Sequence, residues 1–156
     1  LWLAECEVEV GTLTRARDLT NEVRARAANT AGWVPSTDPP YAPYAANYKV
    51  GVYLVASPAF LTQAAARKAV RFERKLEFGM EGHRFFDLVR WGIAATEINR
   101  IIDYTGGVTN PSINNKRGYL TGANFTANKN EYFPIPQSQI DLSVSGGVAK
   151  LKQYYY

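Results

Sequence analysis

The sequence predicts an all-α fold with a loop-rich C-terminal section, and three observations carry that reading. Apolar residues recur every three or four positions through residues 1–28 and again through 59–103. Prolines and aromatic residues crowd together between them, over 29–58. Beyond Thr105 the composition turns to Asn, Gly, Thr and Ser, the residues of turns and irregular backbone. At 156 residues, the chain can bury roughly 70% of its unfolded-state surface, enough for a real core.

The elements follow in order. Leu1, Ala4 and Val8 share a helical face with Leu3, Cys6 and Val10 beside it, a helix buried over a wide arc that Gly11 ends. Thr12 or Thr14 caps a second helix, about 14–28, with Ala16, Leu19, Val23 and Ala27 as its inner stripe. This hairpin resembles one tetratricopeptide unit in its placement of Ala4, Gly11 and Ala16, although Glu7 and Thr20 occupy the repeat's aromatic positions. A lone unit cannot bury its own face, so its stacking partners are expected upstream of this chain. The absence of a starting Met or an N-cap residue points the same way, to a fragment.

Pro35, Pro39, Pro40, Pro43 and Pro58 then remove amide donors and fix φ, which makes 29–58 a long aromatic-bearing loop. Within it, Lys49 to Val55 reads as a short extended piece. A third helix is predicted from Ser57-Pro58 to about Phe78, with Ala65, Ala69, Phe72, Leu76 and Met80 as its apolar stripe. Gly82 breaks the run. A fourth helix, about 84–102, turns Phe85, Leu88, Ala95, Ile98 and Ile102 inward and pairs antiparallel with the third. From 104 to 156 the chain reads as irregular, with turns at Gly106-Gly107, Asn110-Pro111, Arg117-Gly118 and Gly146-Gly147 and a short helical turn at Gln137 to Leu142.

Composition and motifs narrow the chemistry. The net charge of +4 lies in mixed-sign helices and forms no basic block, so nucleic acid is not an expected partner. No apolar run reaches the ~20 residues of a membrane helix. His83 has no companion ligands, so neither a metal site nor any other cofactor is expected. Cys6 lies on an apolar stripe and reads as a small buried residue. Glu77, Glu81 and Asp87 offer paired carboxylates of the kind glycosidases use. Each, however, has an arginine within helical reach, with Glu81–Arg84 and Asp87–Arg90 the expected pairs; a neighbouring cation lowers a carboxyl pKa, the wrong direction for a general acid. Catalytic residues are therefore not expected, and an α-helical glycosidase is the weakest reading.

Recognition falls instead to the loop. Sugars present flat C–H faces edged by hydroxyls, which exposed aromatic rings and polar side chains match. Trp33, Tyr41, Tyr44 and Tyr48, with Asp38 and Asn47, form that set. The competing reading lays the same rings on the helical core to hold the loop down.

Read as E-R-x-x-E-F-x-x-E-G-x-R-F-x-D-L-x-R-W-G, the stretch Glu73, Arg74, Glu77, Glu81, Gly82, Arg84, Asp87, Arg90, Trp91 and Gly92 resembles the hallmark of SusD/RagB proteins. Leu3-Ala4-Glu5 through Asn21-Glu22-Val23-Arg24-Ala25-Arg26-Ala27 resembles the family's helical hairpin, and Tyr132 to Asp141 its Y-L-F-P-I-P-x-x-E-I. The tail, Leu151-Lys152-Gln153-Tyr154-Tyr155-Tyr156, keeps the Leu and Gln of the family's closing motif and departs after them. The resemblance implies the C-terminal portion of a non-catalytic surface lipoprotein of Bacteroidetes-type outer membranes. Such a protein captures oligosaccharides or other nutrients and passes them to a TonB-dependent SusC-like transporter. The signature serves the fold. The lipid anchor belongs to an N-terminus absent here, and Cys6, inside a helix motif, is not that residue. The alternative from another class is a tetratricopeptide-like adaptor that binds a peptide or partner helix.

Overall fold

The computed structural model describes residues 1–106 and 117–153, and they are mostly helical. The expected turns at Gly106-Gly107 and Asn110-Pro111 and the departing tail at 154–156 lie wholly or partly outside the described residues. Contacts divide the chain into two units, Leu1–Glu81 and Gly82–Tyr156, so the boundary falls inside the 59–103 segment and the third and fourth helices belong to different units.

In the first unit, α1 spans Trp2–Val10, α2 Leu13–Ala28 and α3 Gln63–Glu77, and each packs on the other two. The hairpin also has a stacking partner within this chain, since α3 packs on both of its helices. Small side chains make that approach possible. Ala4, Val8, Ala16, Ala66, Ala69 and Val70 form the core with Phe60, and Leu13, Leu19, Tyr53 and Ala59 pack against it. Alanine leaves backbones free to come close, while little surface per residue leaves water. Thr20, fully buried, donates its hydroxyl to Ala16 O at 2.8 Å and so satisfies itself within its own helix.

Thr12 caps α2 by accepting from Arg15 N at 3.3 Å, and Thr62 caps α3 by accepting from Ala65 N. The third helix thus starts later than expected, after a 3-10 turn at Pro58–Phe60. Its buried face is also rotated from the predicted stripe. Phe72, Leu76 and Met80 are exposed, and Ala66, Ala69, Val70, Glu73 and Arg74 are buried. The same correction applies to α1, where Ala4 and Val8 are buried but Leu3, Cys6 and Val10 are exposed. Arg67 forks onto Glu9 with two contacts of 2.6 Å, tying α3 to α1.

The second unit opens with α4, His83–Arg90, and α5, Ala94–Gly106, two helices where one was predicted over 84–102. Gly92 sits between them at φ 66°, a left-handed conformation that stops a helix and that glycine adopts without steric penalty. Leu88 and Ala94 are buried on either side of this corner. Asn99 on α5 donates to Phe125 O at 2.9 Å and accepts from Phe125 N at 2.7 Å, which fixes the irregular segment that follows. A 3-10 turn spans Gly118–Leu120, and α6 spans Gln137–Leu142 where the sequence places a helical turn. Two short strands, β1 at Val144–Ser145 and β2 at Val148–Ala149, pair antiparallel around Gly146-Gly147, whose φ values of 62° and 77° suit a tight hairpin. Gln153 donates to Ile135 O at 2.5 Å, so the tail's Gln holds the Phe-Pro-Ile-Pro segment.

Candidate functional site

Proline prevents the loop after α2 from continuing as helix, and the chain instead folds back on itself. Pro35 and Tyr44 form an isolated antiparallel bridge: Ser36 N donates to Pro43 O and Ala45 N to Val34 O, both at 2.9 Å. The peptide bonds before Pro40 and Pro43 are cis. This fold-back brings distant rings together. Trp33 stacks on Tyr48 with centroids 4.7 Å apart, and Tyr44 meets Trp33 edge-on at 5.0 Å and Tyr48 at 6.2 Å. Offset and edge-on arrangements are the ones the ring quadrupole favours. The indole Nε1–H donates to Ala27 O at 2.9 Å, at the C-terminal end of α2, while Val34 N donates to the Tyr48 hydroxyl. The cluster is thus moored to α2 through its tryptophan.

A cavity of about 370 Å³ opens over this cluster, lined by Trp33, Pro40, Tyr41, Pro43, Tyr44, Asn47 and Tyr48 with two alanines. Five of the six candidate recognition residues therefore surround one space. Asp38 does not: it is exposed away from the lining, its amide donating to Ser36 Oγ at 3.1 Å. Among the rings, Tyr41 is 47% exposed and takes no part in the stacked cluster. Pro40 and Pro43 complete the wall and are missing from the sequence-based set. Their spacing between tyrosines was the available signal, since proline rings also offer flat apolar surface.

A further ring, Tyr53, ties the loop to the core. Tyr53 packs against the core and meets Phe60 edge-on at 5.1 Å. Its backbone is gripped by Asn21, whose amide accepts from Tyr53 N at 2.7 Å and donates to Tyr53 O at 2.9 Å, as a neighbouring strand would. Arg24 lies over the Tyr53 ring at 4.5 Å, donates to Gly51 O at 2.6 Å and pairs with the buried Glu73 at 2.7 Å. The predicted extended piece over 49–55 is therefore held by side chains of α2, without strand partners among the described residues.

The signature residues occupy helix faces and corners. Glu73 and Arg74 are buried, Arg74 lying over the rings of Phe78 at 5.0 Å and Trp2 at 5.7 Å. Glu77 pairs with Arg26. Glu81 and Gly82 are exposed, and Gly82, at φ 77°, precedes α4. The Asp87 carboxylate, buried, accepts from Arg90 Nε at 2.9 Å. Trp91 lies under the guanidinium groups of Arg90 at 5.0 Å and Arg84 at 5.6 Å. No group of three or more metal-ligating side chains converges among the described residues.

A family model described as SusD family, SusD/RagB, matches residues 1–156. The chain belongs to the SusD family. SusD proteins are non-catalytic and bind glycans and other nutrients at the cell surface. Comparison with curated proteins found no match. Among the described residues, no helix is long and apolar enough to cross a membrane.

Proposed function

We propose that the cavity over Trp33, Tyr41, Tyr44 and Tyr48 is where this SusD-family chain holds a glycan or similar nutrient, which it hands to a TonB-dependent SusC-like transporter in the outer membrane. The observation that carries this reading is the exposed Tyr41 ring beside a stacked aromatic floor. Hydroxyls of Tyr41 and Tyr44 and the Asn47 amide supply hydrogen bonders around it, and Asp38 is available to a ligand that extends past the rim. The chain acts here as the C-terminal portion of a surface protein anchored by a lipid at its own N-terminus, and it carries out no covalent chemistry. The order of the three family motifs along residues 3–27, 73–92 and 132–141 supports that placement.

Tyr41→Ala tests the site with little structural cost, because this ring lies outside the stack. Anchors of this kind contribute about 2 kcal/mol to binding, or roughly thirtyfold in affinity. Titration with the glycan that binds wild type is expected to show that loss with an unchanged thermal transition. Equal affinity in Tyr41→Ala and wild type would return the rings to a purely structural role. For the handover, co-purification with a SusC-like transporter is the expected result; failure to associate would remove the transporter from the account.

A further inference from the structure

We infer that the aromatic cavity selects uncharged saccharides over acidic or sulfated ones, a conclusion that rests on the binding reading above. From Ala27 to Tyr48 the chain holds no Lys, Arg or His. Among the described residues the cavity lining is correspondingly without a cation: its polar side chains are tyrosine hydroxyls, the Asn47 amide and the Trp33 indole N–H, the last already donating to Ala27 O. Of the hydroxyls, that of Tyr48 is occupied by Val34 N. Lys49, next in sequence, lines a separate cavity of about 310 Å³ with Arg24, Phe72 and Glu77.

Carboxylates and sulfate esters are strongly hydrated. A site that takes them from water must replace that hydration with charge-assisted donors, typically a forked arginine. Here the only charged residue between Trp33 and Tyr48 is Asp38, itself an anion, so the segment offers a carboxylate or sulfate no charge-assisted donor from a cation. A neutral sugar asks for less. Its apolar face lies on a ring, and its hydroxyls exchange water for phenol and amide partners at small net cost. The cavity volume lies near the small end of the ~300–1,000 Å³ typical of ligand clefts, so a short stretch of neutral glycan fits where a flanking charge would find no partner.

The test is calorimetric titration of the protein with neutral probes (maltohexaose, xylohexaose and mannohexaose) and anionic ones (hexagalacturonate and a chondroitin sulfate hexasaccharide), each at low and high salt. Binding of at least one neutral probe is expected, with an affinity that salt leaves unchanged and that Tyr41→Ala lowers roughly thirtyfold; the anionic probes are expected not to bind. Anionic binding that weakens with both salt and Tyr41→Ala would overturn the charge selectivity while leaving the cavity as the site. Neutral binding that neither Tyr41→Ala nor Asn47→Ala alters would instead overturn the site, and the selectivity with it. Absence of binding to every probe would also overturn the inference.

Discussion

Arg24 joins three parts of the first unit through one guanidinium group, which reaches Gly51 O, the Tyr53 ring and the buried Glu73 carboxylate. A buried charge left without its partner costs about 3–5 kcal/mol. Arg24→Met, which takes this partner from the buried Glu73 carboxylate, is therefore expected to lower stability by that order in chemical denaturation, whereas Arg24→Met/Glu73→Leu should cost less than the two single changes together. Additive losses would show that the two residues act separately. Exposed pairs behave differently. Two hydrogen bonds from Arg67, helped by the charges of Arg67 and Arg71, hold the Glu9 carboxyl below its ordinary value of 4.5. Because the folded-state value is the lower one, this pair stabilises the fold fully above the unfolded-state value and loses its effect as pH falls through the depressed one. Glu9→Gln should leave a shallower fall in melting temperature on the acid side; an unchanged acid limb would show that the pair adds nothing to stability.

Helix α4 ends where a glycine, Gly92, takes a left-handed conformation. An added Cβ there meets no atom within 4 Å, so the cost of Gly92→Ala is the backbone's alone, about 1–2 kcal/mol. A drop in the thermal transition of corresponding size is expected; a rise would mean that α4 and α5 can join as the single helix the periodicity predicts. That prediction failed because hydrophobic spacing continues through the break and only the backbone at Gly92 interrupts it. The same limit explains α3. Periodicity assigns the large side chains Phe72, Leu76 and Met80 to the interior, whereas the helix turns alanines and the Glu73–Arg74 pair inward, since α1 and α2 approach too closely for large groups. The hairpin of α1 and α2 and the Gly146-Gly147 turn were legible because a capping threonine and glycines act locally. The Asn21 grip on Tyr53 was not, as it joins residues 32 positions apart through a tertiary register that no local pattern encodes. In the loop, the candidate residues were chosen by type. Their convergence depends on the fold-back between Pro35 and Tyr44, which also leaves Asp38 outside the cavity.

At the scale of the whole molecule, charge and aromatic surface are divided between two tasks. The family signature over 73–92 sets Glu73, Glu77 and Asp87 against arginines and places Trp91 under two guanidinium groups. The loop over 33–48 gathers rings and hydroxyls around a cavity, the proposed glycan site. Backbone amide chemical-shift mapping during titration with a glycan that binds wild type tests this division most directly. Shifts concentrated at Trp33, Tyr41, Tyr44, Asn47 and Tyr48, with residues 73–92 unmoved, are the result this account predicts; shifts centred on 73–92 with the loop unmoved would contradict it.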